Sequence, residues 1–350
     1  MKHQSFPATV ASIRAVYGRR LRLQQYRELM AMHSVPEIAA YLKNTAAYRE
    51  HLSAIEPTMI HRGYLETVIR RAPFQRYLHF CRLEQLQHTP YFRFVLMDYE
   101  IRELFKAIQL LSNLNASYIT HMHTWLVPYT SFSLETLAKA DSYDGILAAV
   151  AHTPYYAALK PFVPKEGAPF AFLECEIALR TCSLHLLLEE TARTMHGANR
   201  KALEDLIREQ VDLINRINAY RLKSVFHTDR ETLHRLMLPI QGNLPRRISK
   251  ALYDAPDVDA FRQILQHTRY GRMLETQGSL PDHLQMEHAF QKLRCRTAQN
   301  ALRFSDHAAV SLYAVQFLQQ VEVQNLATII EGIRYQKPVP YIESLLTLEV

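Results

Sequence analysis

The amino-acid sequence predicts an all-α fold. Three observations carry that reading: glycine is scarce, proline is clustered, and apolar residues recur every three or four positions. Nine glycines in 350 residues is about 2.6%, against a usual level of about 7%. Such a chain is poorly equipped for glycine-cradled nucleotide loops, a collagen helix or a turn-dense β fold. Hydrophobic residues at 48% and charged residues at 21% are ordinary for a globular protein. With little glycine, the abundant Leu, Ala, Gln, Glu and Arg favour helix. The length allows two or three domains or one elongated repeat protein.

The elements follow in chain order. Met1 to Arg27 has no acidic residue and five arginines, which superficially resembles a transit peptide. However, Ile13, Val16, Leu21 and Leu23 keep a helical spacing into Tyr26–Met30, so an integral first helix is expected. Ser34 and Glu37 then form a capping box, with Pro36 in the first turn. Three stretches are long enough for helices of about 20 residues or more. One lies between Pro90 and Pro128, one covers 170–238, and one covers 282–337. In 203–225, Leu203, Leu206, Ile207, Val211, Ile214, Ile217 and Leu222 make one amphipathic stripe. The charge-free stretch Ala107–Leu134 contains Gln109, Asn113, Asn115, His121, His123 and Pro128, too polar for a lipid-embedded helix.

A repeat runs through the chain. Align SVPEIAAYLKNTAAY, SYDGILAAVAHTPYY and DVDAFRQILQHTRY on Thr45, Thr153 and Thr268, which are 108 and 115 residues apart. Eleven residues earlier stand the helix N-caps Ser34, Ser142 and Asp257. Ile38, Ile146 and Phe261, then Leu42, Val150 and Leu265, mark the buried face of a short helix. An aromatic follows within three residues: Tyr48, Tyr155 or Tyr156, and Tyr270. The Thr–Tyr segment is expected to end the helix, and the tyrosines to serve as packing anchors. Farther on come the acids Asp98, Asp212 and Glu322, expected to position helices or to pair with arginines such as Arg102 and Arg216. The chain therefore divides into repeats at 1–117, 118–229 and 230–350. Three copies could close on each other or stack as a solenoid; the pattern alone leaves both open.

Nothing in the sequence has the pattern of a reaction centre, and no cofactor or metal site is expected. His121 and His123 would point about 200° apart on a helix. His283 and His288 are five apart, not the i, i+4 of a helical zinc pair. Cys81, Cys175, Cys182 and Cys295 include no CxxC, and four in this length are no disulfide framework. Cys175 and Cys182 read as a buried pair on one helix face, and the cysteine usage suits a reducing, cytoplasmic compartment. The net charge of +7 and pI of about 9.1 favour an anionic partner: acidic protein, lipid headgroups or nucleic acid.

Taken together, IRAVYGRRL at Ile13–Leu21, YRELMAMHSVPEIAAYLKNTAAYREHL at Tyr26–Leu52, the threefold Thr–Tyr signature, DLINRINAYRLKSV at Asp212–Val225 and EVQNLATIIEGIRYQ at Glu322–Gln336 resemble a known family. It is the C subunit of the V/A-type rotary ATPase, equivalent to the d subunit of the eukaryotic vacuolar enzyme, and the likeness spans essentially the whole chain. The family follows its repeated acid with Asn three positions later. Asp212/Asn215 and Glu322/Asn325 fit, whereas Asp98 is followed by Ile101.

The resemblance implies three related helical bundles, funnel-shaped around a pseudo-threefold axis. It also implies a non-catalytic central-stalk subunit, a socket between the central-shaft subunits and the membrane rotor ring of proteolipid subunits. A socket of this kind lets ATP hydrolysis or synthesis drive, or be driven by, proton or sodium transport. It sits peripherally at the cytoplasmic face of the membrane, without nucleic acid. The repeated residues Ser34, Thr45, Tyr48, Ser142, Thr153, Tyr155, Asp257, Thr268 and Tyr270 are the partner-binding candidates, with the three capped helices presenting equivalent ends to one partner face. Two other readings fit the residues: a basic helical repeat protein binding nucleic acid, and an all-α enzyme.

Overall fold

A computed structural model describes residues 7–83, 90–111, 122–164, 170–275, 280–281 and 285–348. Among the described residues the regular elements are all helical. The chain opens with α1 (Pro7–Gly18), α2 (Leu23–Met30), α3 (Val35–Lys43), α4 (Arg49–Leu52) and α5 (Arg62–Leu83). It continues through α6 (Pro90–Leu111), α7 (Leu134–Ala138), α8 (Tyr143–Ala149), α9 (Pro154–Leu159), α10 (Phe172–Thr194) and α11 (Gly197–Ser224). There follow α12 (Arg230–Arg235), α13 (Arg246–Asp254), α14 (Val258–Gln266) and α15 (Arg269–Leu274). The last three are α16 (Met286–Phe304), α17 (Ala308–Arg334) and α18 (Val339–Leu345).

Packing sorts these into two compact units, Met1–Gln87 with Leu284–Val350, and His88–His283. In the first, α17 is the spine. At 27 residues it is about 40 Å long, and it packs against α1, α5 and α16. Its Leu326, Ile329 and Ile330 share one core with Leu29, Ile38, Leu42, Tyr48 and Leu65 from the start of the chain. Each such fully buried side chain contributes about 1.5–3 kcal/mol, so the N-terminal helices are fastened by the C-terminal one. In the second unit, α10 packs on α6, α9 and α11, and α11 packs on α14. Tyr220 and Phe261 meet edge to face there, with ring centroids 6.0 Å apart. The repeat boundary at 117/118 lies outside the described residues.

Several local features differ from the sequence reading. The first helix does not continue into Tyr26–Met30: α1 stops at Gly18 and α2 begins at Leu23. The break frees the N–H of Leu21, which donates to the Glu322 carboxylate at 2.9 Å while its side chain enters the core. A long helix, α5, runs straight through Pro73. Proline forfeits one helical hydrogen bond, but the buried Ile69, Ala72, Phe74 and Tyr77 hold the segment against the core. Cys175 is buried, as expected, yet Cys182 is half-exposed and donates weakly to Pro154 O.

Candidate functional site: three carboxylate clamps

The N-caps form as the sequence demands. Ser34 Oγ accepts from Glu37 N at 3.3 Å, Ser142 Oγ from Gly145 N at 3.2 Å, and Asp257 Oδ1 from Ala260 N at 2.8 Å. Each satisfies an amide that the first helical turn leaves without a partner. The reciprocal half of the Ser34–Glu37 box shifts by one residue, with Glu37 accepting from His33 N at 3.0 Å.

The threonines do more than end a helix. Thr45, Thr153 and Thr268 donate their hydroxyls to Leu42 O, Val150 O and Leu265 O at 2.7, 2.8 and 2.7 Å. Thr153 also accepts from Tyr155 N and Thr268 from Gly271 N, so these two cap the next helix. At Gly271 a Cβ would lie 2.3 Å from Leu265 O, so this turn closes only around glycine.

Tyr48, Tyr155 and Tyr270 are 0%, 1% and 0% exposed. Their hydroxyls donate to Glu322 at 2.9 Å, Glu100 at 2.5 Å and Asp212 at 3.1 Å. Each carboxylate also gathers backbone amides: Leu21 N for Glu322, Ser131 N for Glu100, and Asn243 N with Leu244 N for Asp212. Three residues after each acid, a second polar side chain grips the backbone. Asn325 bonds both N and O of Thr347, and Asn215 both N and O of Leu238. Glu103 accepts from His123 N at 3.3 Å and meets His123 Nδ1 at 2.6 Å.

The acid of the first copy is therefore Glu100, not Asp98, and Glu103 stands where the other copies have Asn. Asp98 instead pairs with Arg102 on the helix surface at 3.0 Å. The signal was present in DYEIRELF, where acids at 100 and 103 keep the i, i+3 spacing; a search for Asn at the second position passes over it. Tyr155, not Tyr156, is the anchoring aromatic.

At the Glu100 and Asp212 clamps one continuous run supplies both sets of backbone partners: His123 to Ser131, and Leu238 to Leu244. At α17 the same two roles are divided between Leu21, near one end of the chain, and Thr347, near the other.

The electrostatics suit fastening. Burial pushes the Glu322 carboxyl above its ordinary range, opposed by the Leu21 N–H, the Arg76 charge and the Tyr48 hydroxyl. Burial, and then the facing carboxylates, hold the hydroxyls of Tyr48 and Tyr155 well above the usual tyrosine range, so they remain donors. Asp212 has an extra partner in Arg216, 0% exposed and 3.3 Å away, which also reaches Tyr253 Oη and Ser249 Oγ. The nine candidate residues thus fall into two groups. Ser34, Ser142 and Asp257 lie at the surface or partly exposed, whereas the threonine hydroxyls and tyrosines are committed inside the chain. Among the described residues no cluster of His, Cys, Asp and Glu could hold a metal ion, and no helix is long and apolar enough to cross a membrane.

Fold and clamps together define an all-helical scaffold whose buried polar groups tie helices and turns to one another. The chain belongs to the ATP synthase (C/AC39) subunit family, whose pattern matches residues 9–345. It is also 31% identical over 142 residues to the A-type ATP synthase C subunit of Methanosarcina mazei, a stretch covering 41% of this chain and 37% of that protein. The aligned stretch is thus well under two thirds of the relative's length. The family that the sequence resembles is the one found.

Proposed function

We propose that this chain is the non-catalytic central-stalk subunit of a V/A-type rotary ATPase, a socket joining the central-shaft subunits to the membrane rotor ring. The family match across residues 9–345 carries the reading. ATP hydrolysis or synthesis is thereby coupled to proton or sodium transport. Torque transmission needs stiffness, and long helices, few glycines and hydrogen-bonded buried clamps supply it. The recurring Thr–Tyr–carboxylate clamp supports a body of three related bundles, 1–117, 118–229 and 230–350. The short helices capped by Ser34, Ser142 and Asp257 are the candidate partner-facing ends. The basic balance suits a peripheral position beside anionic headgroups at the cytoplasmic membrane face. The family match gives the nucleic-acid reading no support.

Deleting the chain is expected to leave ATPase activity in a detached head while abolishing ATP-driven ion pumping. Unchanged pumping in membranes lacking it overturns the proposal. Affinity pull-down from detergent-solubilised membranes is expected to bring shaft and ring subunits along.

A further inference from the structure

Beside the Tyr48–Glu322 clamp, within the unit built on α17, opens a cleft with a volume of about 930 Å³. Its basic side chains come from separate stretches of sequence. Arg19, Arg20 and Arg22 line it from the turn between α1 and α2, Arg71 and Arg76 from α5, and His51 from α4. The carboxylates in the wall are Glu50 and Glu322. Glu322 is buried behind the Tyr48 clamp and its carboxylate faces the charges of Arg76 and Arg20, while Glu50 is the exposed counter-charge, so five arginines stand against two carboxylates.

Two guanidiniums are held in place by their surroundings. That of Arg20 lies 4.2 Å from the Tyr17 ring centroid, and that of Arg76 lies over the Tyr48 ring and donates to Ala47 O. Arg19, Arg22 and Arg71 stand exposed around them. The field reaches His51, whose imidazole is pushed below its usual range by burial and then by the Arg76 charge. Gathering like charges in a concave wall costs free energy unless an anion offsets it, and low-dielectric walls focus the potential.

Guanidinium forks match both carboxylate and phosphate oxygens. The cleft's size and charge density separate the two. Its volume lies in the range of small-molecule sites, about 300–1,000 Å³. Five arginines around one concavity suit several negative charges on one compact body, whereas a peptide spreads its carboxylates one per residue. We propose that this cleft binds a phosphate-bearing polyanion, either a soluble condensed phosphate or a phosphorylated lipid headgroup. The inference does not rest on the rotary-ATPase reading, because it concerns the isolated chain.

The test is calorimetric titration of the full chain with sodium tripolyphosphate, alongside co-sedimentation with phosphatidylcholine vesicles with and without phosphatidic acid. Binding in either arm that falls at least tenfold in Arg19→Gln/Arg71→Gln supports the site. Both side chains are exposed and outside the clamps, so an unchanged melting temperature is expected; Arg22→Gln/Arg71→Gln gives a second variant. Arg247→Gln/Arg272→Gln removes the same exposed charge from the other unit and is expected to bind like the unaltered chain. Tripolyphosphate binding without vesicle binding identifies the soluble ligand, and the reverse identifies the headgroup. The proposal is overturned by binding in neither arm, by equal loss in the Arg247/Arg272 control, or by tighter binding of a poly-glutamate peptide than of tripolyphosphate.

Discussion

Tyr48 and Glu322 stand 274 positions apart in the chain, yet the tyrosine hydroxyl donates to the carboxylate at 2.9 Å. The bond ties the early Thr–Tyr turn to the middle of α17. Tyr48→Phe leaves a buried carboxylate with its Leu21 amide and one fewer donor. A hydrogen bond to a charged group contributes about 1.5–3 kcal/mol, and a loss of about 2 kcal/mol is expected from urea denaturation. Tyr270→Phe is expected to cost less, because Asp212 keeps two backbone amides and Arg216. An equal or larger loss at Tyr270 contradicts this account of the clamps.

Gly242 is a second point of close approach. A Cβ there would stand 2.0 Å from Asp212 Oδ1. The carboxylate cannot swing aside without giving up Asn243 N and Leu244 N. Gly242→Ala is therefore expected to destabilise by about 3 kcal/mol, the upper range for overpacking. Gly18→Ala meets nothing within 4 Å and is expected to stay within about 0.5 kcal/mol of the unaltered protein. Similar melting temperatures for the two variants would refute the contrast.

His307 makes one helix start pH-dependent. Its Nδ1 accepts from Ala309 N at 3.2 Å, capping α17, which requires the neutral ring at that nitrogen. Burial lowers its pKa from the ordinary 6.5. The native state thus binds the proton less readily than the unfolded chain. Its contribution to stability is fully present above pH 6.5 and is lost as pH falls through the depressed value. His307→Asn keeps a capping oxygen and is expected to flatten the slope of stability below about pH 6.5, with no change in slope above it. Thermal melts on both sides of that pH decide it; an unaltered slope assigns the dependence elsewhere.

Asp254 titrates in the opposite region. Its hydrogen bond to Lys250 leads a set of contacts, with His234 and Arg230, that lowers its carboxyl to about 2. The contribution is present above the ordinary value of 3.8 and is lost as pH falls toward 2. Asp254→Asn is expected to be destabilised near neutral pH, with the gap closing in acid. A gap that stays constant from neutral to acid pH would count against the charged cluster.

How much of this was legible in the sequence depends on how local each signal is. Ser34, Ser142 and Asp257 as caps need only a few neighbouring residues, and the sequence identifies all three. The Thr–Tyr turns are legible for the same reason. The acid of the first copy was not, because Asp98 and Glu100 lie about 200° apart on one helix. Choosing between them requires knowing which face turns inward, and that is settled by Tyr155 and Ser131. The arginine cleft was equally hidden: Arg19 and Arg71 are 52 positions apart, and only the fold makes them neighbours. Pro73 carries no such local signal either, since burial overrides the usual penalty of a proline inside a helix.

The divided partners of α17 set where such a body yields. Between His123 and Ser131, and between Leu238 and Leu244, peptide bonds bridge the two points each clamp holds. From Leu21 to Thr347 there is no short covalent path, so this seam is stitched by hydrogen bonds and side-chain contacts to α17. A twisting load would part it before the other two. Amide hydrogen exchange at Leu21 and Thr347 should accordingly outpace that at Ser131 and Leu238, and a cross-link across the seam should slow it.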